Sequence, residues 1–327
     1  MRPVQRRAAC LLAAAIATAR PACFAVAQAA WPTRPLRLIV PFPAGGTTDT
    51  LSRILAERLG ARIGQTVVVE NRGGAAGVIA AEMAARAEPD GYTLFLATIG
   101  TAAITPNLHT KLNYRPDDLA AIGLFAELPN VLVVRADAPW PNLEAFLADA
   151  RARPGQLTYA SSGSGSSLHL SGEMLKTDAG VDILHVPFRG GGDSANQILG
   201  GRVDAGMNNL PTAIALIRAG QLRALAVTGP VRSAALPDVP TVAESGLPGY
   251  AATAWFGIQA PARTPSAVVA RVNTELNAIV ADPPTRARAE DLGARLRGGT
   301  PDEFATFIRE ESERWAAVIR RSGAKVD

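Results

Sequence analysis

Short apolar runs alternate with helix-patterned segments along the first third of the chain. Residues 36–41, 66–70 and 93–97 are apolar runs of the length that buried strands have. Between them, leucine and isoleucine recur at helical spacing over residues 51–60, and an alanine-rich helical segment covers residues 77–87. This strand–helix–strand–helix–strand order predicts a parallel sheet with helices on both faces.

The same alternation continues to the end of the chain. Further strands are predicted at residues 131–134, 157–160, 183–187, 203–207, 222–227 and 253–259. Further helices are predicted at residues 143–150, 194–199, 211–219, 266–281 and 301–319. The last helix has a clear start signal, since Thr300, Pro301 and Glu303 fit a capping box with proline at the first position. A pattern of this length without a low-complexity linker predicts two domains that share crossing strands.

The first 30 residues have the composition of a secretory signal peptide. Arg2, Arg6 and Arg7 precede an apolar run over residues 8–19, and small residues follow at 27–29. The apolar run is shorter than the roughly 20 residues that a membrane span needs. We therefore expect residues 1–30 to be removed on export and the remaining chain to be periplasmic.

Removal of this segment changes the charge of the chain. The full sequence has 33 Lys and Arg against 29 Asp and Glu, and four of the arginines but none of the acids lie before residue 31. The exported chain therefore carries 29 of each sign, which gives no argument for binding nucleic acid. Both cysteines, Cys10 and Cys23, also leave with the segment. We expect neither a disulfide nor a cysteine metal site in the exported protein.

Two loops rich in small residues follow predicted strands and precede predicted helices. Residues 42–49 read Phe-Pro-Ala-Gly-Gly-Thr-Thr-Asp, and residues 161–167 contain five serines and two glycines. Helix N-termini favour anions, and small residues let a ligand approach the backbone. Neither loop contains Lys or Arg, which suits a carboxylate better than a polyphosphate. Each loop alone is equally compatible with a simple turn or cap, but two of them favour a ligand cleft.

Motifs for nucleotide binding and for catalysis are missing from the sequence. There is no Gly-Lys-Ser/Thr loop and no G-x-G-x-x-G after the first strand. Ser164 or Ser166 with His169 could form a hydrolase pair, but no G-x-S-x-G or H-E-x-x-H motif supports catalysis or a metal site. We expect no enzyme activity, cofactor or metal. The pair Asn208-Asn209 either faces the cleft or merely begins the following helix.

Several segments in a fixed order resemble the substrate-binding receptors of tripartite tricarboxylate transporters, the Bug family. The resemblance covers about residues 31–315. The matching segments are PFPAGGTTD at 41–49, VENRGG at 69–74, PDGY at 89–92, HVPFRG at 185–190, LRALAVT at 222–228, LPDVPTVAE at 236–244 and WFG at 255–257. The chain departs from the family pattern at Ser164, Phe188 and Asn208, where asparagine, tyrosine and aspartate are usual.

The resemblance implies an α/β fold of the type II periplasmic binding protein kind, a Venus flytrap. It has two doubly wound α/β domains joined by two crossover strands. The implied domains are residues 31–127 with 252–327, and residues 128–251. The ligand-binding residues implied for the first domain are Phe42, Ala44, Gly45, Gly46, Thr48, Asp49, Thr98, Gly100 and Thr101. Those implied for the second domain are Ser161, Ser162, Ser164, Ser166, Ser167, His169 and Asn208.

The function implied by the resemblance is capture of a small organic carboxylate between the two domains. The ligand would be a dicarboxylate or an aromatic acid of modest size. A monomeric receptor would deliver it to the membrane permease subunits of a tripartite transporter. Two alternatives stay open at this point: a receptor that presents its ligand to a sensor kinase, and a periplasmic hydrolase.

Overall fold

A computed structural model describes residues 31–326, so the predicted signal peptide lies outside the described residues. The strands are β1 Leu36–Val40, β2 Val67–Asn71, β3 Thr93–Thr98, β4 Leu119–Arg135, β5 Thr158–Ser161, β6 Leu184–Pro187, β7 Ala205–Asn209, β8 Leu222–Val227, β9 Thr253–Pro261 and β10 Arg295–Leu296. The α-helices are α1 Thr47–Ile63, α2 Val78–Ala85, α3 Thr105–Leu108, α4 Leu143–Ala152, α5 Ser167–Ala179, α6 Gly191–Leu199, α7 Leu210–Arg218, α8 Ser266–Ala281, α9 Pro283–Asp291 and α10 Pro301–Ser322. None of these helices is long and apolar enough to cross a membrane.

The first half of the sheet has the predicted parallel core. β1 pairs in parallel with β2 on one side and with β3 on the other, and β9 joins β3 in the antiparallel direction. Leu38 and Ile39 of β1 are fully buried, because helices cover both faces of the sheet. The carboxyl ends of β1 and β3 therefore meet at one edge, where the loops after them come together.

β4 is a single strand that connects the two halves of the sheet. Its first part pairs with β9 as far as Pro129, and its last part pairs with β7 and β8 from Asn130 and Val131 onward. The sequence predicted a strand only at residues 131–134. Gly123 and Pro129 interrupt the apolar run, and the register of β4 against β9 shifts on both sides of Gly123 and Leu124.

The second half of the sheet repeats the arrangement of the first. β5 pairs in parallel with β6 and β7, while β4 lies antiparallel between β7 and β8. The chain returns to the first half just before β9, where Ala252 N–H donates to the Thr228 carbonyl. The predicted two-domain α/β fold is therefore confirmed in outline, with β4 and the start of β9 at the junction.

The sequence patterns did not predict α3, α9 or the short helical turns at residues 100–104 and 116–118. α9 has no apolar stripe, and it is defined instead by prolines in its first turn and by Asp282, whose side chain accepts from Thr285 N–H at 3.1 Å. Residues 100–104 form a short π-helical turn after β3.

The capping box predicted for α10 is confirmed: Thr300 Oγ1 accepts from Glu303 N–H at 3.2 Å, and Glu303 accepts from Thr300 N–H at 2.7 Å.

Candidate functional site

A cavity of about 840 Å³ lies between the two halves of the sheet. Its walls come from the loops after β1 and β3, from the serine-rich loop after β5, and from the first turns of α6 and α7. Ten of the residues expected to bind ligand line it, namely Phe42, Ala44, Gly45, Gly46, Thr48, Thr98, Gly100, Ser162, Ser166 and Ser167. The two loops chosen from the sequence therefore do face each other across one space.

The loop after β1 presents unpaired backbone amides to this cavity. Gly46 is the N-cap of α1 and has no side chain to satisfy the first-turn N–H groups. The Thr47 N–H donates to Thr212 Oγ1, whereas those of Thr48 and Asp49 remain available to an anion. A methyl group placed on Gly46 would meet no atom within 4 Å, so this position opens directly onto empty space. Gly45 has a φ of 87°, a left-handed conformation that glycine adopts without strain.

Asp49 lies behind this loop and does not line the cavity. Its carboxylate accepts from the Gly45 amide at 3.0 Å and from Arg53 Nε at 3.0 Å. Burial raises the pKa of Asp49, but the hydrogen bonds from Arg53 and Gly45 outweigh burial and hold that pKa below its usual value. Asp49 therefore stays ionised and fixes the shape of the loop.

The serine-rich loop is held by its own serines. Ser166 is the N-cap of α5: its Oγ accepts from His169 N–H at 3.2 Å and donates to the Gly163 carbonyl at 2.7 Å. Ser164 does not line this cavity but a neighbouring one. Ser161 is fully buried, and its Oγ lies 2.6 Å from His185 Nε2. Of the five serines, three thus face the cavity between the halves.

Two stacked histidines contact the serine-rich loop through Ser161 and Gly165. The rings of His169 and His185 lie 4.2 Å apart at an angle of 25°. His169 Nδ1 accepts from the Gly165 N–H at 3.1 Å, which requires that this nitrogen carries no proton. Burial lowers the pKa of His169, and burial together with His169 lowers the pKa of His185 to about 3. Both rings are therefore neutral at neutral pH.

The depressed histidine pKa values predict that stability falls with acidification. An unfolded histidine takes up a proton near pH 6.5, whereas folded His185 does so only near pH 3, so the unfolded chain binds more protons in this range. The stabilisation is complete above about pH 6.5 and is lost as the pH falls toward 3. Urea unfolding between about pH 7 and pH 5 should show a decline of at most about 1.4 kcal/mol per pH unit for each histidine. His185→Gln should reduce this slope, and an unchanged slope would contradict the assignment.

The serine–histidine contact does not expose a nucleophile. Neither Ser164 nor Ser166, the serines considered for a hydrolase, touches a histidine ring through its hydroxyl; Ser161 does, and it is buried away from the cavity. His185 is packed between the rings of His169 and Tyr159. Among residues 31–326, no cluster of three His, Cys, Asp or Glu could hold a metal ion.

The turn after β3 places Thr98 and Gly100 at the cavity wall, whereas Thr101 is buried in the protein behind it. Thr98 N–H donates to Thr101 Oγ1 at 3.0 Å, and Thr101 N–H donates back to Thr98 Oγ1 at 3.2 Å. Tyr114 Oη donates to the Thr101 carbonyl at 2.8 Å. Thr101 therefore shapes this turn from the buried side.

Asn208 and Asn209 take opposite positions. Adjacent residues of a strand point to opposite faces, and it is Asn209 that lines the cavity, with its Nδ2 donating to Asn130 Oδ1 at 2.7 Å. Asn208 is fully buried, and neither its Oδ1 nor its Nδ2 has a hydrogen-bond partner. Asn208 was the residue expected to bind ligand, and the cavity is lined by Asn209 instead, because the sequence does not reveal which face of β7 meets the cleft.

A third glycine-rich loop was missed as a cavity wall. Arg189 and Asp193 line the cavity together with Gly190, Gly191 and Gly192, which precede or begin α6. The segment has the same pattern as the other two loops, small residues ahead of a helix. The further unpredicted lining residues are Pro43, Thr47, Ile99, Ala195, Asn196, Thr212, Ala215, Leu216, Ala254, Trp255 and Phe256. Although neither of the two predicted loops contains Lys or Arg, Arg189 in this third loop brings a cation to the cavity wall.

Two hydrogen bonds cross the cleft. Thr47, the first residue of α1, donates its N–H to Thr212 Oγ1 at 3.0 Å, and the two hydroxyl oxygens lie 2.8 Å apart. Thr212 belongs to α7 in the second half. The two halves are thus linked directly at the wall of the cavity.

Removing the Thr212 hydroxyl should shift the protein toward an open form. Thr212→Val deletes both cross-cleft hydrogen bonds, each worth about 1 kcal/mol net. Small-angle X-ray scattering of the ligand-free protein should then give a larger mean radius of gyration than for wild type. Thr212→Ser keeps the hydroxyl and should scatter as wild type does; identical curves for all three proteins would refute the link.

Comparison with known proteins identifies relatives over nearly the whole described chain. The family model described as "Tripartite tricarboxylate transporter family receptor" matches residues 51–324. The solved structure of Rpa4515 from R. palustris with adipate is 37% identical, covers 90% of this chain and 100% of its own, and has a TM-score of 0.88. The periplasmic binding protein BugD is 35% identical over 90% of this chain and 99% of its own, with a TM-score of 0.86. MatC of Rhodopseudomonas palustris with bound malate is 34% identical over 88% of this chain and 100% of its own, with a TM-score of 0.84.

Proposed function

The chain belongs to the tripartite tricarboxylate transporter receptor family, and on that basis we propose that it captures a small organic carboxylate and delivers it to a tripartite-type membrane transporter. The resemblance noted from the sequence is thereby confirmed, as is its assignment to binding receptors and not to enzymes. Family members are periplasmic binding proteins. We extend this to the present chain as a proposal: residues 1–30 act as a cleavable signal peptide, and the exported chain works as a monomer.

The observation that carries the proposal is the position of the cavity between uncapped helix N-termini from both halves. α1 begins at a glycine cap that has no side chain, and α6 begins after Gly190, likewise without a side-chain cap. Thr48 and Ser167 lie on opposite walls, and neither hydroxyl has a hydrogen-bond partner among residues 31–326. Such donors suit a carboxylate, which accepts several hydrogen bonds and gains from the positive end of a helix dipole.

Binding by both halves explains how a ligand would signal its presence. A ligand shifts a two-state equilibrium only through contacts that differ between the states, and contacts from both halves exist only when the cleft is closed. We propose the domain boundaries from the sequence, 31–127 with 252–327 and 128–251, as the units that move. The relatives solved with adipate and with malate support a small organic carboxylate as the ligand.

Uptake by cells tests delivery to a transporter. Host cells lacking the gene should lose uptake of at least one radiolabelled organic acid that the purified protein binds. Wild type should restore this uptake, whereas Gly46→Val, which blocks the cavity, should not. Unchanged uptake of every such acid after deletion would contradict a transport role.

A further inference from the structure

A second cavity of about 820 Å³ adjoins the first. The two share the lining residues Pro43, Ser162, Arg189 and Asp193, so they meet at the loop between β6 and α6. The far wall of the second cavity is the turn at residues 73–76. The space between the halves therefore extends beyond the part that lies beside the loop after β1 and the serine-rich loop.

Arg189 lies where the two cavities meet and has no ion-pair partner in the part of the chain that the structure describes. It is the one Lys or Arg that lines either space among residues 31–326. His109 lines the second cavity as well, but burial lowers its pKa, so it is a poor cation.

The backbone beside Arg189 is held at the cleft. A Cβ built on Gly190 would lie 3.4 Å from Pro43 Cδ, and one built on Gly163 would lie 3.4 Å from the Phe188 carbonyl oxygen. The loop is thus packed against the first half on one side and against the serine-rich loop on the other. This packing fixes the backbone of Arg189 at the junction, and its guanidinium offers a planar fork of donors that matches a carboxylate.

We infer that Arg189 binds the second carboxylate of an elongated dicarboxylate. The first carboxylate is held by the loop after β1 and by the serine-rich loop. This inference rests on the proposed function and names the ligand class of the same site. A straight-chain dicarboxylate places its two charges at opposite ends, which suits a space that continues from one cavity into the next with Arg189 lining both. A monocarboxylate of equal length would leave Arg189 without a partner.

Asp193 opposes this second carboxylate. It lines both cavities, and its Oδ1 accepts a hydrogen bond from Gln197 Nε2 at 3.1 Å. A negative charge beside the junction repels a second anion, and its removal leaves the attraction of Arg189 uncompensated. Arg189 and Asp193 should therefore affect dicarboxylate binding in opposite directions.

Calorimetric titration of two matched series tests the inference. The probes are the dicarboxylates from succinate to suberate and the monocarboxylates with the same carbon numbers. Wild type should bind at least one dicarboxylate more tightly than its monocarboxylate. Arg189→Gln should weaken that dicarboxylate about tenfold or more and should remove its advantage over the monocarboxylate. Asp193→Asn should tighten it severalfold.

Arg218→Gln is the matched control, since it removes an exposed positive charge at the end of α7, outside both cavities. It should leave both series unchanged. Equal weakening of dicarboxylates and monocarboxylates by Arg189→Gln, or none, would overturn the role of Arg189 while the proposed function stands. If wild type bound neither series nor any other carboxylate, the proposed function itself would fail.

Discussion

Gly46→Val should abolish carboxylate binding without unfolding the protein. Gly46 has a φ of −97° and a ψ of 177°, which valine adopts readily, and a Cβ there meets no atom within 4 Å. The added isopropyl group would instead occupy the space beside the α1 amides, where we place the carboxylate. Affinity should fall about 100-fold or more, equivalent to roughly 2.7 kcal/mol.

Titration calorimetry with circular dichroism as a folding check measures this effect. Gly46→Ala should give a smaller loss, because its methyl group fills less of the same space. Gly200→Val, at the exposed end of α6 and outside the cavity, should bind as wild type does. If a folded Gly46→Val protein bound carboxylates with normal affinity, the loop after β1 would not be part of the binding site.

Gly257→Ala should be among the most destabilising single-methyl additions in the chain. Gly257 lies in β9 opposite Ala97, and a Cβ there would lie 2.1 Å from Phe304 Cζ and 2.6 Å from Phe304 Cε1. Phe304 is 2% exposed and packs edge-on against Trp255 at 5.7 Å, so its ring has no free space to enter. Overpacking of this kind costs about 3 kcal/mol.

Urea unfolding of a double-mutant cycle tests the clash directly. Phe304→Leu shortens the opposing side chain, so Gly257→Ala should cost much less in that background than in wild type. Gly200→Ala, whose new methyl group would meet nothing closer than 3.4 Å, should change stability by less than about 0.5 kcal/mol. Additive effects of Gly257→Ala and Phe304→Leu would show that the methyl group and the ring do not collide.

Periodicity and caps predicted the parts of the fold that are governed locally. β1, α1 and β2 follow from apolar spacing within 40 residues, and α10 follows from Thr300 and Glu303 alone. β4 was only partly found, because its pairing changes from β9 to β7 and β8 around Pro129. A strand that belongs to two halves is determined by long-range pairing, which no local pattern of residues records.

The candidate site was predictable where small residues precede a helix. This signal located the loops of Gly46 and Ser166, and the same signal occurs at Gly190, where it was not recognised. The placement of Asn208 in the core and Asn209 at the cavity depends on the face of β7, which only the assembled sheet determines. Thr212 is a cavity residue because α7 packs across from α1, a contact between positions far apart in sequence.

Thermal unfolding of residues 31–327, freed of any retained ligand by unfolding and refolding, tests the central claim most directly. The panel pairs organic acids with their amides. At about 100 times its dissociation constant, a bound acid should stabilise the protein by roughly 2.7 kcal/mol and raise the melting temperature, and its amide should not. An intact fold whose melting temperature shifts with no acid, or equally with acid and amide, would contradict a carboxylate clamp between the two halves.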